Sequence, residues 1–228
     1  MSNSFSRLTR TERFILIGSL TAILCSFLIS GQDLLSLAAS CVGAAALIFV
    51  ARGEVIGQLL TVLFSLLYAL ISWELRYYGE MITYVGMSAP IALLTAISWH
   101  NHPYEKGKSQ VKVSRLTPRL AVVMVLSAAV VTVIFYFILR SLGNASLTVS
   151  TISVTTSFLA CFLLYARCPA YALAYGANDV VLIILWIIAS LSDLSNLPMV
   201  ICFVIFLVND LYGFINWTRM RRRQSTNG

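Results

Sequence analysis

Two short stretches carry most of the chemistry. Asn178-Asp179-Val-Val-Leu-Ile-Ile-Leu-Trp186 sets an amide, a carboxylate and an indole in an apolar run from Tyr171 to Leu191. Val208-Asn209-Asp210-Leu-Tyr-Gly-Phe-Ile-Asn216-Trp217 repeats the combination. Amides offer donors and acceptors, a carboxylate offers acceptors, and an indole offers a face to a flat cation. Both runs are long enough to cross a bilayer, where a carboxylate is costly and by default marks a functional site. Helical spacing puts Tyr175, Asp179 and Trp186 on one face, with Asn178 beside them. Asn209, Tyr212 and Asn216 share a face of the last run, with Asp210 and Trp217 on an adjacent stripe. The rival role for these side chains is structural. Asn and Asp can bridge helices, or cap a break at Gly176 or Gly213.

Other elements must position them. In the run at residues 56–74, Gln58, Thr61, Ser65, Tyr68 and Ser72 form one polar stripe at helical spacing. In the run at 80–99, Glu80, Tyr84, Ser88, Thr95 and Ser98 do the same, and Pro90 interrupts the backbone ladder. Such stripes face protein or water rather than lipid, either as interhelical glue or as the wall of a site. Trp73 and Trp99 lie near span ends, where interfacial anchoring is the simple role; Trp73 is also a candidate for the site. Thr148, Thr151 and Thr155 supply a short polar line in the sixth run. The first run reads as an anchor or packing helix. The second, rich in Ala and Gly, reads as packing material, and the fifth as a linker.

The composition sets the class. Of 228 residues, 59% are hydrophobic and 11% charged, against roughly 25% charged in a soluble domain. Eight candidate spans follow: 14–30, 34–50, 56–74, 80–99, 119–140, 147–166, 171–191 and 197–217. Their apolar runs are continuous, which excludes a β-barrel. The net charge of +7 raises nucleic acid as a partner, but its distribution argues against one. With both termini in the cytoplasm, 14 of the 16 Lys and Arg fall inside and only Arg76 and Arg140 outside, as the positive-inside rule requires. The first span could be a signal peptide; no clear cleavage site follows it, so it is read as retained. Cys25, Cys41, Cys161, Cys168 and Cys202 show no metal spacing, and His100 and His102 read as loop residues. No cofactor, metal or catalytic group is expected, and the chain is not read as an enzyme.

The fold class expected is therefore an all-α integral membrane protein with about eight transmembrane helices. A weak internal repeat relates spans two to four to spans six to eight. Trp73 matches Trp186, and Ile97-Ser98-Trp99 matches Ile215-Asn216-Trp217. One linker span leaves the two three-helix repeats parallel, with an extra helix at the N-terminus. The segments are 1–33 (N-terminus and extra helix), 34–100 (first repeat), 101–141 (basic loop and linker helix), 142–218 (second repeat) and 219–228 (basic tail).

The two signature stretches, together with Tyr78-Gly-Glu80 ahead of a Pro-containing span, resemble PnuC-type vitamin transporters over about residues 34–220. The resemblance implies a fold similar to SWEET sugar transporters, although the Pro-Gln dipeptide of that group is absent. It implies a bacterial inner-membrane transporter of nicotinamide riboside, working by facilitated diffusion and coupled functionally to a cytosolic kinase. By this resemblance Asn178, Asp179, Trp186, Asn209 and Asn216 line the site. Tyr68, Trp73, Tyr175, Tyr212, Gln58, Ser65, Tyr84 and Ser88 complete the candidate wall. Related substrates, thiamine or a deoxynucleoside, and a proton-coupled mechanism are the alternatives. A phosphate would call for Arg or Lys, and none lies in a span interior, which argues for a dephosphorylated small molecule. Two repeats in one chain can form a pathway alone; a homo-oligomer is compatible with this.

Overall fold

The apolar runs become helices close to their expected limits. In the computed structural model, described over residues 8–30, 34–74, 78–105, 109–144, 146–192 and 197–226, eight helices are long and apolar enough to cross a membrane. The elements are α1 (Arg10–Ser30), α2 (Leu34–Ala51), α3 (Val55–Glu74), α4 (Tyr78–Thr83), α5 (Ala89–Asn101), α6 (Pro118–Ser141), α7 (Leu147–Tyr165), α8 (Tyr171–Ser192) and α9 (Leu197–Thr226). Arg7, Arg76, Lys106, Lys108 and the link at 31–33 lie outside the described residues. The tail expected after Trp217 is helical, because α9 runs on to Thr226.

Span four is composite. A π-helical turn, Tyr84–Ser88, separates α4 from α5. Pro90 follows two residues after its end. It has no N–H to donate and its ring crowds the carbonyl four residues back, so the ladder widens just ahead of it.

The expected architecture is present. α3 packs on both α2 and α5, and α8 packs on both α7 and α9. The repeats meet crosswise, α2 against α9 and α5 against α7. α1 flanks α2 and α9, while α6 flanks α7.

The repeat relation is sharpest at the end that carries most of the basic residues, here called the basic end. α2 closes in a Schellman turn: Gly53 N–H donates to Val50 O (2.9 Å) and Glu54 N–H to Phe49 O (3.0 Å). α7 closes identically, with Arg167 N–H to Leu164 O (3.0 Å) and Cys168 N–H to Leu163 O (2.9 Å). Both central residues are left-handed, Gly53 at φ 69° and Arg167 at φ 59°. A side chain at Gly53 would also come within 2.9 Å of Met220, whereas the second repeat holds an arginine in this conformation, normally avoided by residues with a Cβ. Each turn receives one indole. Trp217 Nε1–H donates to Val50 O (2.9 Å), and Trp99 Nε1–H to Leu164 O (3.3 Å). The rings meet at 5.4 Å between centroids, and both are fully buried. Trp99 is thus not an interfacial anchor; it fills the centre of the basic end beside Tyr171 and Met220.

The connection after α5 spans both turns. Val111 N–H donates to Gly53 O and Ser114 N–H to Arg167 O, each at 2.9 Å. Gln224 of α9 holds the same connection from the other side, accepting from Val113 N–H (2.8 Å) and donating to Val111 O (3.1 Å).

Counting on from Glu54 and Cys168, Trp186 falls opposite Ser72, one position away from Trp73. The expected Trp73–Trp186 match is therefore out of register. Trp73 is 58% exposed against Tyr78, whereas Trp186 is buried.

α1 is more than an anchor. Glu12 and Thr9 form a capping box, with Thr9 N–H donating to Glu12 Oε2 (2.7 Å) and Glu12 N–H to Thr9 Oγ1 (3.3 Å). Glu12 is buried and pairs with Arg52 (2.8 Å), which also pairs with Glu54 (2.8 Å). Tyr212 O–H donates to Glu12 Oε1 (3.0 Å). Burial pulls the Arg52 guanidinium down, but its two acidic partners hold it above its ordinary range. Arg52→Ala leaves two buried carboxylates unpaired, and the expected cost is about 3–5 kcal/mol. Chemical denaturation in detergent reads this, and Glu12→Gln added to Arg52→Ala recovers part of the loss; an unchanged midpoint for the single variant would remove the network from the stability of the fold.

Candidate functional site

Between the basic end and an aromatic cluster at the other end lies a narrow cavity of about 80 Å³, smaller than the roughly 300–1,000 Å³ usual for small-molecule sites. Its floor is Val50, Leu164 and Tyr171, next to the paired indoles. Its far side is Phe64, Leu182, Phe203 and Phe206, which pack with Tyr68 and Trp186. Phe64 touches Phe206 edge-on at 5.7 Å and Tyr84 at 5.9 Å. Tyr84 lies on Tyr68 at 4.4 Å. The π-helical turn thus delivers both Tyr84 and Ser88 to the wall.

Gly43 explains how α2 can form part of that wall. A Cβ there would lie 2.8 Å from Phe206 and 3.0 Å from Phe64. The small residues of α2 are therefore not only helix packing; one of them sets the approach of two aromatic walls.

The polar lining comes mainly from α3 and α8. Ser65, Asn178 and Asp179 are buried on the cavity. Asn178 Oδ1 accepts from Ser153 (3.3 Å) and Thr156 (2.8 Å) of α7, leaving its NH2 as the donor end. Tyr175 O–H meets Cys161 Sγ at 3.1 Å. Asp179 of α8 and Asp210 of α9 are both buried and both border the cavity. Asp179 is 3% exposed, and its Oδ2 has no hydrogen-bond partner; nor has Ser65 Oγ. Two polar atoms are thus held without a partner at the cavity, where an unpaired buried group is costly. Among the described residues no Lys, Arg or His lines the space. Among the described residues no three His, Cys, Asp or Glu side chains gather to hold a metal ion.

The cavity gathers Ser65, Tyr84, Ser88, Tyr175, Asn178 and Asp179 from the candidate wall. Trp186 and Tyr68 belong to the aromatic cluster behind it. The face of α9 read as lining is turned elsewhere. Asn209 Nδ2–H donates to Ile205 O (2.8 Å) and Ser19 of α1 (3.3 Å). Tyr212 bonds Glu12, and Asn216 Nδ2–H donates to Ala51 O (2.8 Å). The neighbouring stripe, through Asp210, faces the cavity instead. Gln58 is fully buried near the basic end of α3, with neither amide atom bonded, and does not line the cavity. Trp73 is at the surface. Phe64, Phe203 and Phe206 were missed because an aromatic ring in an apolar run gives no signal that separates wall from packing. Ser65→Ala removes an unpaired buried hydroxyl and is expected to raise stability by about 1 kcal/mol. The unfolding midpoint of the ligand-free protein in detergent is the readout, and a lowered midpoint would show that the hydroxyl has a protein partner.

Residues 33–219 match the family described as nicotinamide mononucleotide transporter. The chain is 27% identical over 203 residues to the nicotinamide riboside transporter PnuC of Neisseria mucosa, covering 87% of this chain and 77% of that protein. It is 22% identical over 183 residues to the nicotinamide riboside transporter PnuC of Haemophilus influenzae, covering 79% and 77%. Among solved structures, the crystal structure of the vitamin B3 transporter PnuC is similar with a TM-score of 0.82 and 26% identity, over 95% of this chain and 94% of that one.

Proposed function

Because the chain belongs to the nicotinamide mononucleotide transporter family, we propose that it carries nicotinamide riboside across the bacterial inner membrane by facilitated diffusion. The observation that supports the riboside over the mononucleotide is the charge of the cavity. Among the described residues two Asp side chains line it and no Lys, Arg or His does. A phosphate calls for Arg, Lys or a helix N-terminus. A pyridinium calls for a carboxylate and an aromatic face.

In this reading Asp179 and Asp210 face the positive ring. Tyr84 and Phe64 offer the aromatic surface, with Trp186 closing the far end. Asn178 and Ser65 bond the ribose hydroxyls, and Ser88 and Tyr175 stand across the same space. The basic end faces the cytoplasm, in keeping with the distribution of Lys and Arg. A cytosolic kinase draws uptake forward, because a product bearing phosphate no longer suits a cavity without cations. One chain holds both repeats and so suffices for the pathway.

The test is a thermal-shift series on purified protein with nicotinamide riboside, its mononucleotide, thiamine and deoxynucleosides. The riboside at 100 times its Kd is expected to stabilise the fold by about 2.7 kcal/mol, and the mononucleotide at the same concentration to give no shift. An equal shift with the mononucleotide overturns the choice, and a shift confined to thiamine or a deoxynucleoside reassigns the substrate.

A further inference from the structure

One buried side chain stands on the polar stripe of α3 without reaching the cavity. Gln58 is fully buried, and among the described residues neither its amide oxygen nor its amide nitrogen has a hydrogen-bond partner. An acceptor and two donors are left unused within a membrane span, where each unmet group is costly. Gln58, Thr61 and Ser65 are spaced by three and four residues and share one helix face. Thr61 and Ser65 border the cavity; Gln58, one turn nearer the basic end, does not.

Its depth matches the cavity floor. Val50 lies four residues before Glu54 of the first Schellman turn, and Gln58 four residues after it. Leu164 and Tyr171 lie four before and three after Cys168, the matching position of the second turn. Val50, Leu164 and Tyr171 form the floor, so four helix ends meet at one level and only Gln58 among them carries an amide. A helical side chain leans back toward the N-terminus of its own helix. Because α3 starts at the basic end, the head of Gln58 leans away from the cavity, toward that end. Counted from the turns, its counterpart in the second repeat is Ala172. The amide is therefore no part of the frame that the two repeats share.

We propose that Gln58 is the first station its substrate meets between the cavity and the cytoplasm. At about 80 Å³ the cavity is narrower than a usual small-molecule site, so passage has to widen it and part its floor. Once Val50, Leu164 and Tyr171 move aside, the next polar side chain along the stripe below Thr61 is Gln58. An amide donates and accepts at once. It suits groups that do the same, the ribose hydroxyls or the carboxamide of a nucleoside-like vitamin. While the floor is closed the amide goes unmet, which raises the energy of the closed state. As the solute crosses, the amide is satisfied, which lowers the energy of the crossing. The two effects together reduce the barrier in both directions, as facilitated diffusion requires. This inference rests on the proposed reading of the chain as a riboside carrier.

The test compares uptake of labelled nicotinamide riboside by proteoliposomes of the full-length protein with calorimetric binding in detergent. Gln58→Leu keeps most of the side-chain volume and removes the amide. Its initial uptake rate is expected to fall about tenfold, the loss of one hydrogen bond at the barrier. Its Kd changes by less than about twofold, because the amide does not touch the solute in the cavity. Its unfolding midpoint is not lowered, because no bond within the protein is lost. Uptake at the native rate overturns the inference and leaves the proposed function standing. So does a rate lost only through a weaker Kd, which would put the amide on the cavity itself. A lowered midpoint or loss of the fold also overturns it, because Gln58 then has a structural partner. If the native protein neither binds nor takes up the riboside, the proposed substrate falls and this inference with it.

Discussion

In hydrocarbon a polar atom without a partner costs several kcal/mol, and most of the helix placement answers to that constraint. Glu12 sits against Arg52 and Tyr212. Asn209 and Asn216 reach α1 and the end of α2. Each indole at the basic end uses its N–H on a carbonyl released by a helix terminus. Once these demands are met, the few polar atoms still unpaired beside the cavity stand out, and they are Asp179 Oδ2 and Ser65 Oγ.

The two repeats agree where the structure must close and differ where it must recognise. The Schellman turns, the indoles and the backbone contacts to the connection after α5 follow one pattern twice. Counted from those turns, Asp179 stands opposite Ser65. Counted from Trp217 and Trp99, Asp210 stands opposite Ala92. Both carboxyls of the cavity therefore come from the second repeat. A symmetric frame holds a lopsided electrostatic lining, and a ligand with a charged ring at one end and hydroxyls at the other has a preferred orientation in it.

Much of this was legible in the sequence. Continuous apolar runs gave eight spans, and the stripe of Ser65 with the pair Asn178-Asp179 pointed at the cavity wall. Periodicity tells which residues share a face; it does not tell which neighbour the face meets. The Asn209–Tyr212–Asn216 face illustrates the limit, because α1 and the end of α2 cover it and neither leaves a mark at that distance in the chain. Trp99 was misjudged for a related reason: a tryptophan at a span end looks the same whether lipid or a second indole lies beside it. In the sequence Arg52 counts only toward the inside excess of Lys and Arg; its pairing with Glu12, 40 positions away, emerges when the fold brings them together.

The connection after α5 has one further consequence. It takes Gly53 O with Val111 N–H and Arg167 O with Ser114 N–H, three residues apart on one strand of backbone, while Gln224 grips the segment between them. Parting the repeats at this end breaks both carbonyl contacts within the same short segment, and the paired indoles separate with them. A half-open arrangement loses much of the bonding and gains little passage. Any opening at this end therefore has to break both carbonyl contacts and the indole pair together rather than one after another.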